Sequence, residues 1–333
     1  MRELFVKKND ENQRLDRFLS KNLPCLPPAL MYKYFRLKRI KINGKRAKGD
    51  QRIVTGDVVS LYIGDEFFDT PSEETDYLRV TPKLDILYED ENLLLVDKKP
   101  GMIVHSDDTE AINTLIAHIK AYLYQKKEWD PSLENSFAPA LCNRIDRNTG
   151  GIVIAAKNAE ALRVMNEKIK NREIRKLYLC LISGALKPPV GRLDGYILKN
   201  GEENLVTVSD RPIKGAKPAS TVYRTISSGS GYSLLECELL TGRTHQIRAQ
   251  LAHAGHPIVG DGKYGKTGGK KVLGFSHQAL YSYKLIFSFK TPAGVLGYLK
   301  DRCFTVESVD FANRFPTGKG QSIGSDKSSK TKG

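Results

Sequence analysis

Apolar positions recur along this chain at two different periods, and the change from one to the other marks out its parts. Leu15, Phe18, Leu19 and Leu23 fall at helical spacing, and Pro24, Pro27 and Pro28 end that helix. A second helix is predicted to follow, with Leu30, Tyr34 and Leu37 on one side. Lys33, Arg36 and Arg39 are spaced three residues apart on its other surface. Lys41-Ile42-Asn43-Gly44-Lys45-Arg46 reads as a short strand entering a tight Asn-Gly turn. Gly56-Asp57 reads as a second turn, and 58–63 as a closing strand.

Further on, period two and unbroken apolar runs dominate. Residues 86–98 predict two strands around an acidic turn, and Lys99-Pro100-Gly101-Met102 a second turn. Residues 151–157 form a near-continuous apolar run expected to be a buried strand. Residues 158–171 predict an amphipathic helix with Leu162, Met165 and Ile169 inward, and 177–182 another strand. Strand-like runs follow at 221–226, 232–240 and 284–289. Many strands, few helices and no regular βαβ alternation predict an α+β fold with a mixed, largely antiparallel sheet, preceded by a small α/β module.

Composition sharpens the divisions. Asp65, Glu66, Asp69, Glu73, Glu74 and Asp76 crowd around Pro71 and Ser72, which reads as an acidic linker. From about Thr317 the chain is Gly, Ser and Lys, too poor in apolar residues to fold. The expected division is therefore 1–63, a linker at 64–82, a larger domain at 83–312 and a disordered basic tail at 313–333. No stretch approaches the ~20 apolar residues of a membrane span. The N-terminus lacks a signal peptide's apolar run, so a cytoplasmic protein is expected. Five single cysteines form no metal-binding or redox motif.

The net charge of +15 points to a polyanionic partner, nucleic acid or an anionic membrane. It is concentrated: residues 1–63 hold 15 Lys/Arg against 6 Asp/Glu, a net +9. The basic helix running into a basic hairpin offers a phosphate backbone two adjoining elements.

Candidate chemistry centres on Asn143-Arg144-Ile145-Asp146-Arg147-Asn148-Thr149-Gly150-Gly151, directly before the buried strand. An arginine beside a carboxylate favours its ionised form, and glycines admit close backbone or ligand approach. On physics alone, a turn carrying a surface ion pair is an equal reading.

The stretch NRIDRNTGGIVIAAKN resembles the RluA-type pseudouridine synthase motif around its catalytic aspartate. Four further stretches are similar to that family's motifs, in the family's order: KLDILYEDENLLLVDKKPGMIVH, RKLYLCLISG, KPASTVYRTI and LLTGRTHQIRAQLAHAGHPIVGDGKYG. The likeness spans nearly all of residues 83–290. In residues 1–63, QRLDRFLSK and LKRIKINGKRAKGDQRIVTGDVV resemble the S4 RNA-binding module, as in the family's large-subunit ribosomal RNA enzymes of the RluC and RluD kind. Asn143, Asn148 and Gly150 stand where the family commonly has His, Asp and Ser.

The resemblance implies an isomerase that converts uridine to pseudouridine in structured RNA, most often large-subunit ribosomal RNA. It implies Asp146 as the catalytic carboxylate, either attacking the substrate or removing a ribose proton. It implies Tyr178 as the active-site tyrosine, linked to the proton that must leave C5 and packed against the base, where an ordinary core aromatic is the plainer reading, and Arg248 as the aspartate's partner. Thr244 is expected to cap a helix that ends before Gly255 and places His245 beside Arg248, with His245 and Gln246 as weaker site candidates. Arg144 is placed near a flipped base, either stacking in the vacated space or touching a phosphate. Arg14, Lys33, Arg36, Arg39, Lys41, Lys45 and Arg46 are the expected RNA contacts. No cofactor, nucleotide or metal is expected, and the enzyme is expected to be a monomer. A non-catalytic RNA-binding or ribosome-assembly factor on the same fold is the alternative. Gly260–Thr267 formally matches a phosphate-binding loop, but Gly268-Gly269-Lys270-Lys271 after it cannot start a packed helix.

Overall fold

The computed structural model describes residues 1–68, 76–106, 110, 112–200, 205–265 and 273–315. Its N-terminal part is a four-stranded sheet of β1 (Arg2–Phe5), β2 (Ile40–Ile42), β3 (Lys45–Arg46) and β4 (Val58–Leu61), ordered β1-β4-β2-β3. Helix α1 (Leu15–Asn22) buries Leu15, Phe18 and Leu19, the face its period predicts. Helix α2 (Pro28–Arg36) begins at a proline, whose missing N–H is no loss in a first turn. It buries Met31 and Phe35, with Leu30 and Tyr34 at the margin. Leu37, expected on that face, is past the helix and exposed. Lys38 adopts left-handed backbone (φ +58°), so Arg39 leaves the helix and does not extend the row of Lys33 and Arg36. Asn43 and Gly44 (φ +50° and +74°) make the tight turn between β2 and β3. Strand β1, an exposed edge with no alternating pattern to betray it, pairs with β4.

The remaining residues build an eleven-stranded sheet, counted among the described residues. Its strands are β5 (Ile86–Glu89), β6 (Leu93–Lys98), β7 (Ala140–Leu141), β8 (Gly150–Ala156), β9 (Ile174–Ser183), β10 (Val190–Asn200), β11 (Leu205–Ser209), β12 (Lys217–Gly229), β13 (Tyr232–Leu239), β14 (Leu280–Phe287) and β15 (Cys303–Thr305). The order is β11-β10-β12-β13-β9-β14-β8-β6-β5, with β15 on β14 and β7 on β8. Every pair among these is antiparallel except β8 with β14, so the sheet is mixed and largely antiparallel, as expected.

The β8–β14 pair is short, Gly150 opposite Tyr281 and Gly151 opposite Ser282. Both glycines are required there. A Cβ on Gly150 would lie 2.3 Å from the Tyr281 ring, and one on Gly151 (φ +115°) 2.2 Å from the Ser282 carbonyl oxygen.

Helices α3 (Leu115–Gln125), α4 (Ala159–Lys170), α5 (Gln246–His253) and α6 (Asp310–Arg314) complete the structure. In α4, Asn158 caps the start through the Ala161 N–H, and Met165 is buried with Leu162 and Ile169 packed beside it. Lys168 on the same helix is also buried, paired with Glu173 at 3.1 Å and the Thr291 carbonyl at 2.8 Å. Helix α3, not among the predicted elements, has a Thr114 cap and buries Leu115, Ile119 and Leu123.

The apolar interior forms two large clusters that share no residue. One runs from Val6 to Ile63 and the other from Tyr77 to Ala312. Phe67 and Phe68 pack on the first, and Tyr77 on the second against Tyr124 and Trp129. Both ends of the stretch read as linker are therefore structured; residues 69–75 lie outside the described residues. The tail boundary also shifts, since α6 runs to Arg314; residues 316–333 lie outside the described residues. Among the described residues no helix is long and apolar enough to cross a membrane.

Candidate active site

Asp146 lies in the loop that leads into β8, and three separate restraints shape that loop. The Thr149 N–H donates to the Asp146 carbonyl (3.0 Å), closing a turn. The Arg147 carbonyl accepts from the Gly101 N–H and from Lys98 Nζ, both at 2.9 Å. Asn143 Oδ1 accepts from the Ile154 N–H (2.8 Å), so this side chain substitutes for backbone pairing at the strand edge. Lys98 is almost fully buried and also donates to the carbonyls of Lys99 and Met102. Burial pushes its ammonium down to about 7, against the pull of Asp146 and Asp97.

The half-exposed Asp146 carboxylate meets Arg248, on α5, with Nη1 at 2.7 Å from Oδ2. The other edge of the guanidinium is clasped by Asp261, Nε to Oδ2 at 2.7 Å and Nη2 to Oδ1 at 2.9 Å. Asp261 is buried and also accepts from the N–H groups of Lys263 and Tyr264. The Tyr264 ring lies 5.2 Å from the guanidinium carbon. Burial raises the Asp261 pKa, but Arg248 and these N–H donors outweigh it and hold the carboxyl below the usual range. Arg248 is thus fixed from behind while one N–H is presented to Asp146.

His245 also faces Asp146, Nε2 to Oδ2 at 3.8 Å, and its Nδ1 is 2.8 Å from the Tyr264 hydroxyl. Burial lowers its pKa, with Asp146 opposing and Arg248 reinforcing, which favours the uncharged ring. His245 itself stands at the N-cap of α5 in left-handed backbone (φ +51°) and Thr244 makes no cap. Instead Gln246 Oε1 accepts from the Arg243 N–H (3.0 Å). The expectation for Thr244 fails because the N-cap position falls one residue later, on His245, and the helix start carries no side-chain cap. Gln246 is buried, and its amide donates to the Ser220 carbonyl, so it ties α5 to β12 and does not point at Asp146. The helix ends before Gly255 (φ +84°), as expected.

Tyr178 projects from β9, nearly buried, opposite Ser282 of β14. Burial, and after it the charge of Asp146, pushes the phenol up to about 12. Cys142 is likewise held as a thiol, pushed up to about 12 by burial. Arg144 is exposed at the loop's rim near His105.

The structure brings together Asp146, Tyr178, Arg248 and His245, and adds Asp261, Tyr264 and Lys98, which the sequence reading did not single out as site residues. Asp261 and Tyr264 lie inside the stretch weighed as a phosphate loop, where their spacing hid their use. Gly260 there has φ +74°, and a Cβ on it would lie 2.3 Å from the His277 carbonyl oxygen. Residues 266–272 lie outside the described residues. Among the described residues no group of three or more His, Cys, Asp and Glu side chains could hold a metal.

The N-terminal basic candidates are apart from this cluster. Lys33, Arg36, Arg39, Lys45 and Arg46 are exposed. Lys41 lies over the Tyr62 ring and Arg39 over that of Tyr34. Arg14 is engaged in a two-point bond to Asp16 (3.1 and 2.6 Å), which its spacing did not reveal. Arg36 and Arg46 line an open cleft of about 650 Å³ together with Lys48 and Tyr32.

A family model described as RNA pseudouridylate synthase matches residues 92–253. The chain is 34% identical over 296 residues to an uncharacterized RNA pseudouridine synthase of Mycoplasma genitalium, covering 86% of this chain and 88% of the relative. It is 30% identical to ribosomal large subunit pseudouridine synthase C of Buchnera aphidicola, covering 79% and 81% of the two chains. It is 30% identical to ribosomal large subunit pseudouridine synthase D of Xylella fastidiosa, covering 86% and 84%. Among solved structures, human RNA pseudouridylate synthase domain containing 4 superimposes with a TM-score of 0.53 at 22% identity, over 68% of this chain and 89% of that one.

Proposed function

The chain belongs to the RNA pseudouridine synthase family and is an enzyme of that kind, and we propose that it modifies large-subunit ribosomal RNA with Asp146 as its catalytic carboxylate. The observation that carries the catalytic part is the contact between Asp146 and a guanidinium locked on its far side by Asp261. A carboxylate oriented that firmly suits a reaction whose two halves need the same group in one place. The substrate part rests on relatives whose names specify the ribosomal large subunit.

The reaction breaks the uridine N1–C1′ bond, turns the base and joins C5 to C1′. C5 loses a proton and N1 gains one, so no electrons or phosphate are exchanged. Asp146 serves either as nucleophile or as the base that takes a ribose proton. Tyr178, nearly buried with its phenol pushed up to about 12, is assigned to pack against the base where the C5 proton must leave. His245 lies 3.8 Å from Asp146, at the same carboxylate oxygen as Arg248.

A uridine within folded RNA is reached by extrusion, and exposed Arg144 is placed to fill or brace the gap. Residues 1–63 are proposed as an S4-like RNA-binding domain, with Arg36, Arg46 and Lys48 as its phosphate contacts. Pseudouridine mapping of ribosomal RNA from cells with and without the gene tests the substrate. A position lost on deletion and restored by the wild-type gene, but not by Asp146→Asn, is the expected result. Purified enzyme is expected to act on a prefolded transcript in EDTA without nucleotide.

A further inference from the structure

The N-terminal unit is joined to the rest by more than its connecting segment. Asp10, at the end of a short 3-10 turn (Lys8–Asp10), is fully buried although its carboxylate belongs to a surface element of its own unit. What covers it is the 133–136 loop of the larger unit. Ser136 Oγ donates to Asp10 Oδ1 and Asn135 Nδ2 to Asp10 Oδ2, each at 2.6 Å, and the same Asn135 amide reaches the Phe5 carbonyl at 2.6 Å. Beside them Asn9 bridges two parts of the larger unit, its Nδ2 donating to Glu134 Oε1 (2.7 Å) and its Oδ1 accepting from the Ala159 N–H at the start of α4 (3.1 Å).

Both sides of this contact are rigidly based. The N-terminal segment leaves from buried Val6 and re-enters its core at Leu15, while the loop leaves from buried Trp129 and re-enters at Phe137. Hydrogen bonds are directional, so several from two fixed bases set an orientation as well as a contact. An inter-domain contact without a large apolar patch would ordinarily permit relative motion. Asp10 opposes it, since its carboxylate accepts from the Lys7 N–H of its own unit (3.0 Å) and from Asn135 and Ser136 of the other, and separation gives up the bonds across the contact together.

We infer that this clamp makes Asp10, Asn135 and Ser136 determinants of which uridine is modified. It holds the basic cleft of the N-terminal unit at one distance and angle from Asp146, so RNA bound on the first surface presents one position to the second. The inference rests on the reading of residues 1–63 as RNA-binding. These residues are positioning residues, since none touches the reacting atoms.

The test uses the full chain. Cys25 and Cys303 are exposed, one in each unit, whereas Cys180 and Cys237 are buried, so nitroxide labels in a Cys142→Ser background report the distance between units. The wild type is expected to give one narrow distance, and Asp10→Ala a broad distribution. Asn135→Ala with Ser136→Ala, altered only in a loop of the larger unit, is expected to do the same without touching the N-terminal fold. Ser136→Thr, which keeps the hydroxyl, retains the narrow distance.

On a short stem-loop taken from the modified region, kcat of the loosened variants stays within about twofold of wild type. On the full large-subunit transcript KM rises about tenfold or more, as effective concentration falls, and pseudouridine appears at secondary uridines. A distance that stays narrow in both variants overturns the clamp. So does a broad distance with unchanged selectivity, and equal loss on both RNAs assigns these residues to stability alone. If wild type leaves the transcript unmodified, the substrate reading has failed; the same ratio is then measured on bulk transfer RNA and decides the clamp there.

Discussion

Arg248 touches Asp146 through a single N–H at 2.7 Å while its other edge is held by two bonds from Asp261. The guanidinium therefore has no freedom to follow Asp146 if the carboxylate moves; the carboxylate is positioned by it. Asp146→Asn keeps shape but removes charge, and is expected to abolish pseudouridine formation while RNA affinity stays near wild type. Arg248→Ala is expected to be severely impaired, with the double variant little worse than either. Single-turnover yield at saturating RNA, beside a direct binding assay, checks this. Substantial turnover by Asp146→Asn would overturn the assignment.

Asp261 separates geometry from chemistry. Asp261→Asn leaves Asp146 and Arg248 in place but deprives a buried cation of its main partner, which costs about 3–5 kcal/mol. Unfolding in urea should show that loss, whereas Asp146→Asn, at a half-exposed site, should show little. Activity of Asp261→Asn is expected to fall even at temperatures where it is fully folded. Retained activity in the folded variant would reduce Asp261 to a stability role.

Gly150 stands where the family commonly has serine, and the Tyr281 ring explains it, since a Cβ there would be 2.3 Å from the ring. Gly150→Ser is expected to destabilise by about 1–3 kcal/mol through overpacking. Combining it with Tyr281→Val should recover part of that loss, less what is forfeited when the Tyr281 hydroxyl releases Asp97. A double-mutant cycle measures the coupling, and strict additivity would refute the explanation.

These two cases show which parts of the molecule were legible. Strands β2 to β6, β8, β9 and β12 to β14, helices α1, α2, α4 and α5 and the pairing of Asp146 with Arg248 follow from period, turn chemistry and motif resemblance, whereas β1, β7, β10, β11 and β15 carry no such signal. Asp261 was not legible, because only the fold brings residue 261 behind residue 248. Leu37 misled because its helical spacing runs one residue past the helix, which ends at Arg36 just ahead of the left-handed turn at Lys38. Arg14 is paired with Asp16, a contact that charge density does not register.

Salt dependence distinguishes the basic cleft from the active site. Replacing Arg36, Arg46 and Lys48 with alanine is expected to weaken RNA binding and to lower the slope of log K against log salt by about 0.7–0.9 per lost phosphate contact. Turnover of bound RNA should be unaffected. An unchanged slope would show that the RNA backbone does not run through this cleft.

Acid stability reports the buried pair behind α4. Burial works against the Glu173 charge, but the backbone N–H groups of Lys290 and Thr291, the Thr291 hydroxyl and Lys168 outweigh it and bring the carboxyl to about 2. Its folded value lies below its ordinary 4.5, so its stabilisation is complete above 4.5 and lost as pH falls towards 2. Glu173→Gln should be less stable at pH 7 and should lose less on acidification through that window. Parallel pH profiles of the two proteins in urea unfolding would contradict this.

The one parallel pair of strands among the described residues, β8 with β14, has a consequence for how the enzyme is born. Asp146 stands on the β8 side of that seam, and Tyr178 and Arg248 belong to elements on the other. A nascent chain that has emerged only as far as Gly265 already carries every residue of the site, but β8 and β9 have no strand between them until Leu280–Phe287 arrives. Assembly of the site therefore waits on β14. A chain cut before Leu280 holds the complete chemical inventory and lacks the strand that joins its two halves.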